Sequence, residues 1–178
     1  MRENSRILVC GGTGLVGSAI VRKLLEKGYA SITATYYSRA PSTVFASPLT
    51  PHLNSFGIYP DKVVLLGMGS LRREFLHVDD LAEARVYLME DYHAQDLGEF
   101  VNVGTGEDIP VKDLAEMVKE IVGFEGEISW DTTNPDGTPR KLLDVSRIRS
   151  LGWRPKVSLK EGISGTYQWY LQTLNIER

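Results

Sequence analysis

Three stretches of this 178-residue chain carry residue types and spacings that can do chemistry. The first is Gly11-x-x-Gly14-x-x-Gly17, with Gly12, Thr13, Leu15 and Val16 between the glycines. Glycines at this spacing let backbone N–H groups approach an anion, and a helix opening here adds its positive end, so the segment suits a dinucleotide pyrophosphate. A glycine turn used only for close packing would leave the same trace. Arg39 stands where an acidic residue would select NAD through the ribose hydroxyls, and it favours NADP unless it is simply a solvated loop arginine. The second stretch is Arg72-Arg73-Glu74-Phe75-Leu76-His77-Val78-Asp79-Asp80. An arginine there can hold a diphosphate through charge-assisted hydrogen bonds, although an Arg–Glu surface pair and an Asp helix cap account for the residues without a ligand. The third is a turn with Asp136, Arg140 and Lys141, which can close over a substrate or stand exposed. His77 with Asp79 and Asp80 has neither the spacing nor the second ligand cluster of a metal site, so His77 reads as structural and no metal is expected.

These residues need elements to position them. Residues 6–10 are a short apolar run, 18–27 show helical spacing at Ile20, Val21, Leu24 and Leu25, Gly28 can close that helix, and 30–37 are rich in β-branched and aromatic residues. The opening is therefore a βαβ unit. Between 38 and 59 the pattern dissolves, punctuated by Pro41, Pro48, Pro51 and Pro60, which makes this stretch the candidate linker. A strand is predicted at 62–66, a helix capped by Asp79 or Asp80 and running to about Tyr92, a strand at 99–103, and an amphipathic helix at 111–122 closed by Gly123. A brief strand at 128–130, a short helix at 145–151 and a last helix at 159–174, with Ile163, Tyr167 and Tyr170 on one side, complete the pattern. Cys10 and the tryptophans Trp130, Trp153 and Trp169 read as packing residues. The division is 1–40 for the first βαβ, 41–60 for the linker and 61–178 for the rest.

Composition narrows the classes. The net charge is −3, 42% of residues are hydrophobic, and no dense Lys/Arg block occurs, so a soluble globular α/β chain is expected and a nucleic-acid surface is not. The lone cysteine cannot pair within the chain, and no apolar run is long enough for a signal segment or a membrane span, which points to the cytoplasm.

The motifs taken together resemble the GDP-L-fucose synthases, which are extended short-chain dehydrogenases/reductases. The resemblance lies in Gly11-Gly12-Thr13-Gly14-Leu15-Val16-Gly17, Arg73 to Asp80, Asn102-Val103-Gly104-Thr105-Gly106 and Pro135-Asp136-Gly137-Thr138-Pro139-Arg140-Lys141-Leu142-Leu143-Asp144. Leu151-Gly152-Trp153 and Thr166-Tyr167-Gln168-Trp169 add to it, so that it covers about 5–40 and 61–173. It implies a family reaction in which GDP-4-keto-6-deoxy-mannose is epimerised at two carbons and its ketone reduced by NADPH to give GDP-L-fucose. It also implies that Gly11 to Gly17 form the pyrophosphate loop, that Arg73 contacts the GDP-sugar and that Asp136 and Lys141 lie on the substrate side. Leu66 stands where the family has a tryptophan, a departure on one side of the nucleotide-sugar pocket.

A larger departure is an absence. The superfamily protonates the reacting carbonyl oxygen with a tyrosine made acidic by a lysine four residues later and aligned with a serine. The residues four before the eight lysines are Ala19, Lys23, Ile58, Asp108, Ala115, Gly137, Gly152 and Lys156, and none is tyrosine. Cys10 and His52 do not match the family's epimerisation cysteine and histidine either, so no catalytic residue is assigned. The join from Tyr37 to Lys62 has the look of an internal deletion, which implies a partial Rossmann-like, doubly wound domain without its central strands plus a small α/β substrate domain. The chain is expected to be inactive alone, with a non-catalytic NADP or GDP-sugar binding module and a truncated fragment as alternatives. An uncovered first strand would leave room for a homo-oligomer or for pairing with a full-length relative.

Overall fold

A computed structural model of the chain describes residues 7–9, 15–34, 58–59, 61–133 and 136–173 and divides it into two compact units. The first unit combines 1–47 with 76–105 and 144–156. Strand β1 (Ile7–Val9) pairs in parallel with β2 (Ile32–Ala34), in the register Ile7 to Ile32 and Val9 to Ala34. Helix α1 (Leu15–Glu26) connects them, which is the predicted βαβ unit. Gly28 ends the helix, donating its N–H to the Leu25 carbonyl, and Tyr29 N–H donates to that of Leu24.

Helix α2 (Val78–Asp91) packs on α1, and Ala82 and Val86 join Ile7, Val9, Ala19, Ile20 and Leu24 in one core. Each of the isoleucines, valines and the leucine among them is worth roughly 1.5–3 kcal/mol when fully buried, and each alanine less. The other side of α2 carries Ala84 into a second core with Val145, Ile148 and Trp153, where helix α5 (Ser146–Ser150) lies. Asp80, also buried, accepts the Lys156 N–H at 3.0 Å. The cap of α2 is His77, whose Nδ1 accepts the Asp79 N–H at 3.3 Å, rather than Asp79 or Asp80. The two acids occupy the first turn, where the helix dipole favours negative charge.

The predicted strand at 99–103 does not form. A single turn of helix, α3 (Ala94–Leu97), is followed by a segment without ladder pairing. Val101 and Val103 pack instead on the second core, so their apolar character records burial there and not a place in a ladder.

The second unit combines 48–75, 106–143 and 157–178. Its first sheet has the order β3 (Ile58–Tyr59), β4 (Lys62–Leu66), β7 (Glu127–Asp131), with β3 antiparallel and β7 parallel to β4. The hairpin takes in Ile58 and Tyr59, which the sequence reading leaves in the linker. Helix α4 (Val111–Val122) ends at Gly123, whose φ of +66° is the left-handed conformation that terminates helices. Helix α6 (Leu159–Thr173) is tied to it by Lys160 and Glu120 at 2.9 Å. Ile163, Tyr167 and Tyr170 are half-buried, and Trp169 is 47% exposed.

A second sheet has the order β6 (Ile109–Pro110), β5 (Arg72–Arg73), β8 (Arg140–Lys141), antiparallel then parallel. No described helix is long and apolar enough to cross a membrane.

Candidate functional site

The described part of the dinucleotide turn is its helix. Gly11, Gly12, Thr13, Gly14 and Arg39 lie outside the described residues, while Leu15, Val16 and Gly17 form the first turn of α1. That turn holds no acidic residue and follows the strand β1, so nothing on it opposes an anion at the positive end of the helix.

The residues expected to face a substrate all belong to the second unit. In the sheet β6–β5–β8, parallel pairing sets Arg72 beside Arg140 and Arg73 beside Lys141. Side chains alternate along a strand, so Arg73 and Lys141 share one face and Arg72 and Arg140 the other. Arg73 is half-buried and donates through Nη1 to the Arg72 carbonyl at 2.7 Å. Neither Arg73 nor Lys141 has a carboxylate partner among the described residues. Two uncompensated cations side by side repel each other, and an anion spanning them removes that repulsion.

Asp136, in the segment between β7 and β8, reaches the turn that follows β4. Its Oδ1 accepts the Met68 N–H at 3.1 Å, and its Oδ2 is buried with no hydrogen-bond partner. Gly67 makes this approach feasible, since its φ is +88° and a Cβ added there would lie 2.3 Å from Asp136 Oδ1. A buried carboxylate oxygen without a donor costs free energy until one arrives, which suits an acceptor for a ligand hydroxyl or N–H. Leu66 is 73% exposed at the end of β4.

Two acids escape sequence reading. Asp108 has a side chain only 3% exposed and accepts from Arg72 Nε at 2.7 Å and from Arg140 Nε. Glu74 braces the same sheet, accepting the Gly106 N–H at 2.6 Å and the Leu143 N–H at 2.9 Å. Glu74 stood in view beside Arg73, but its partners are 32 and 69 residues away. Asp108 has no local signal at all, because both arginines reach it only through the sheet. No group of three or more His, Cys, Asp or Glu among the described residues is arranged to hold a metal ion.

The chain is 60% identical over 114 residues to a putative GDP-L-fucose synthase of Arabidopsis thaliana, a match spanning 64% of this chain and 34% of that protein. It is 46% identical over 119 residues to the GDP-L-fucose synthase of Escherichia coli K12, over 64% of this chain and 37% of that one. The chain thus spans about a third of the length of the curated relatives it matches. In fold it is similar to a GDP-mannoheptose C4 reductase of Campylobacter jejuni solved with NADP bound, with a TM-score of 0.78 at 22% identity over 96% of this chain and 99% of that one. This likeness, together with the parallel pairing, makes the chain a partial Rossmann-like α/β fold. The sequence profile of the NAD dependent epimerase/dehydratase family matches residues 7–53 and 50–104, more than half of the sequence, and the chain belongs to that family.

Proposed function

We propose that this chain is a GDP-L-fucose synthase-like protein of the cytoplasm that binds a GDP-sugar in its second unit and NADP at the β1–α1 turn, without completing the reduction alone. The observation that carries the reading is the Arg73–Lys141 pair, two adjacent cations on one sheet face with no carboxylate partner among the described residues. Two cations at paired positions on one sheet face can each take one phosphate of a nucleoside diphosphate. Asp136 supplies an acceptor for a hydroxyl or N–H of the same ligand. The identity to named GDP-L-fucose synthases supports guanosine as the nucleoside and a keto sugar as the cargo.

For the cofactor, the acid-free first turn of α1 fits a pyrophosphate, and the glycines Gly11 to Gly17 supply the close backbone approach. When bound, NADPH supplies the hydride for ketone reduction. The chain's own residues bind and orient, but no tyrosine precedes a lysine by four, so no residue is assigned to move the proton.

The test is calorimetric titration of the monodisperse protein with GDP and, separately, with NADPH. Saturable GDP binding that is lost in Arg73→Ala is expected, as is NADPH binding lost in Gly14→Arg. A folded sample that gives no heat with either ligand would end this reading.

A further inference from the structure

The proposed site leaves the buried carboxylate of Asp108 unused. Burying a carboxylate is costly unless charged or hydrogen-bonding partners hold it. Here two guanidiniums do so, and Arg72 Nη2 also donates to the Asp108 carbonyl at 3.0 Å. The partners come from different strands. Arg72 lies in the central strand β5, Arg140 beside it in β8, and Asp108 just before β6, where strand alternation sets it on the Arg72 face. One carboxylate therefore ties all three strands together on that face.

These strands are only two residues long, and a ladder that short is weakly specified. The flanking bonds between β5 and β8 are Arg72 N–H to the Pro139 carbonyl at 2.8 Å and Glu74 N–H to the Lys141 carbonyl at 3.3 Å. A slip of one residue would turn Lys141 over to the Arg72 face and part it from Arg73. We propose that Asp108 is a positioning residue: by pairing with both Arg72 and Arg140 it fixes the register of β8 on β5 and so presents Arg73 and Lys141 together as a preformed diphosphate clamp. The ligand half of this inference rests on the GDP-sugar reading above; the register half does not. The Arg140 guanidinium holds the Asp108 carboxyl below its ordinary range, with burial opposing and Arg72 reinforcing it, so the tie stays charged through neutral pH.

The experiment compares the full chain with Asp108→Asn, Asp108→Glu and Arg140→Gln, reading GDP and GMP affinity by calorimetry and amide exchange at Arg72 and Glu74. In Asp108→Asn, GDP affinity is expected to fall roughly five- to tenfold, a fraction of what removing a charged contact outright would cost. GMP affinity should fall less, because the second phosphate is the one that needs both cations, whereas a mere loss of folded protein would weaken both ligands equally. The Arg72 and Glu74 amides should exchange faster, and Asp108→Glu should restore both readouts. Arg140→Gln should give the same changes at smaller size, and it decides the matter if Asp108→Asn does not fold. Unchanged exchange at the two amides overturns the proposal, as does faster exchange with the GDP-to-GMP preference intact. A wild-type chain that fails to bind GDP overturns the nucleotide-sugar reading and the clamp with it, and the exchange rates then decide the register claim alone.

Discussion

Asp136 and Gly67 show how much of the site depends on single residues. The Oδ2 of Asp136 is buried and unpartnered, while its Oδ1 is held by the Met68 N–H. Asp136→Asn keeps the shape and replaces an acceptor by a donor. Stability should then change by no more than about 0.5 kcal/mol, because a buried charge is removed while an amide N–H takes over the unpartnered position. GDP-mannose affinity should fall about tenfold or more, since a ligand donor loses its acceptor. Urea melts and calorimetry measure the two separately, and unchanged affinity would take Asp136 out of the site. Gly67→Ala acts by another route. At a φ of +88° an alanine is strained, and its Cβ would meet Asp136 Oδ1 at 2.3 Å. A loss of about 1–3 kcal/mol in stability is expected together with weaker GDP-mannose binding, because the methyl group displaces the carboxylate.

Among the elements, α2 carries the most structural weight, because it contributes side chains to both cores of the first unit. Leu24 on α1 is fully buried against it, and Leu24→Ala should cost about 2–5 kcal/mol in a urea melt. The same helix makes stability depend on acid. Burial pushes the Glu83 carboxyl up, but hydrogen bonds from Lys156 and Trp153 outweigh it and leave the group below its ordinary range. Glu90 is lowered in the same way, by Lys27 and Tyr29 against its burial. A carboxylate whose folded pKa is depressed adds stability above its unfolded value of about 4.3 and loses it as pH falls through the folded value. Melting temperature should therefore drop below about pH 4.3, and Glu83→Gln should flatten that limb; parallel profiles for both proteins would contradict the assignment. These helices were legible in the sequence because their burial repeats locally: α4 shows its apolar face at Leu114, Ala115, Val118, Ile121 and Val122 and its stop at Gly123. The sheet of β5, β6 and β8 was not, since two-residue strands have no periodicity and its register joins residues near 72, 109 and 140. For that reason Arg73, Asp136 and Lys141 could be proposed singly, Arg73 through the family resemblance, while the pairing of Arg73 with Lys141 and the tie through Asp108 could not.

For the whole molecule the decisive fact is a mismatch between what the chain holds and what the family reaction needs. Hydride delivery to a ketone leaves an alkoxide, and turnover requires a proton donor beside that oxygen. The superfamily's donor is a tyrosine whose acidity depends on a lysine four residues later, and none of the eight lysines here has one. The proposed binding does not depend on that pair. Arg73 and Lys141 side by side, the unpartnered Asp136 oxygen and the acid-free start of α1 are all present without it. Ligand affinity and turnover should therefore separate. With GDP-4-keto-6-deoxy-mannose and NADPH together, absorbance at the NADPH band should decline no faster than in a protein-free control, while the same sample binds GDP saturably. NADPH consumption that scales with protein concentration, and that Arg73→Ala abolishes, would show that another group donates the proton, and the chain would then have to be counted as an enzyme.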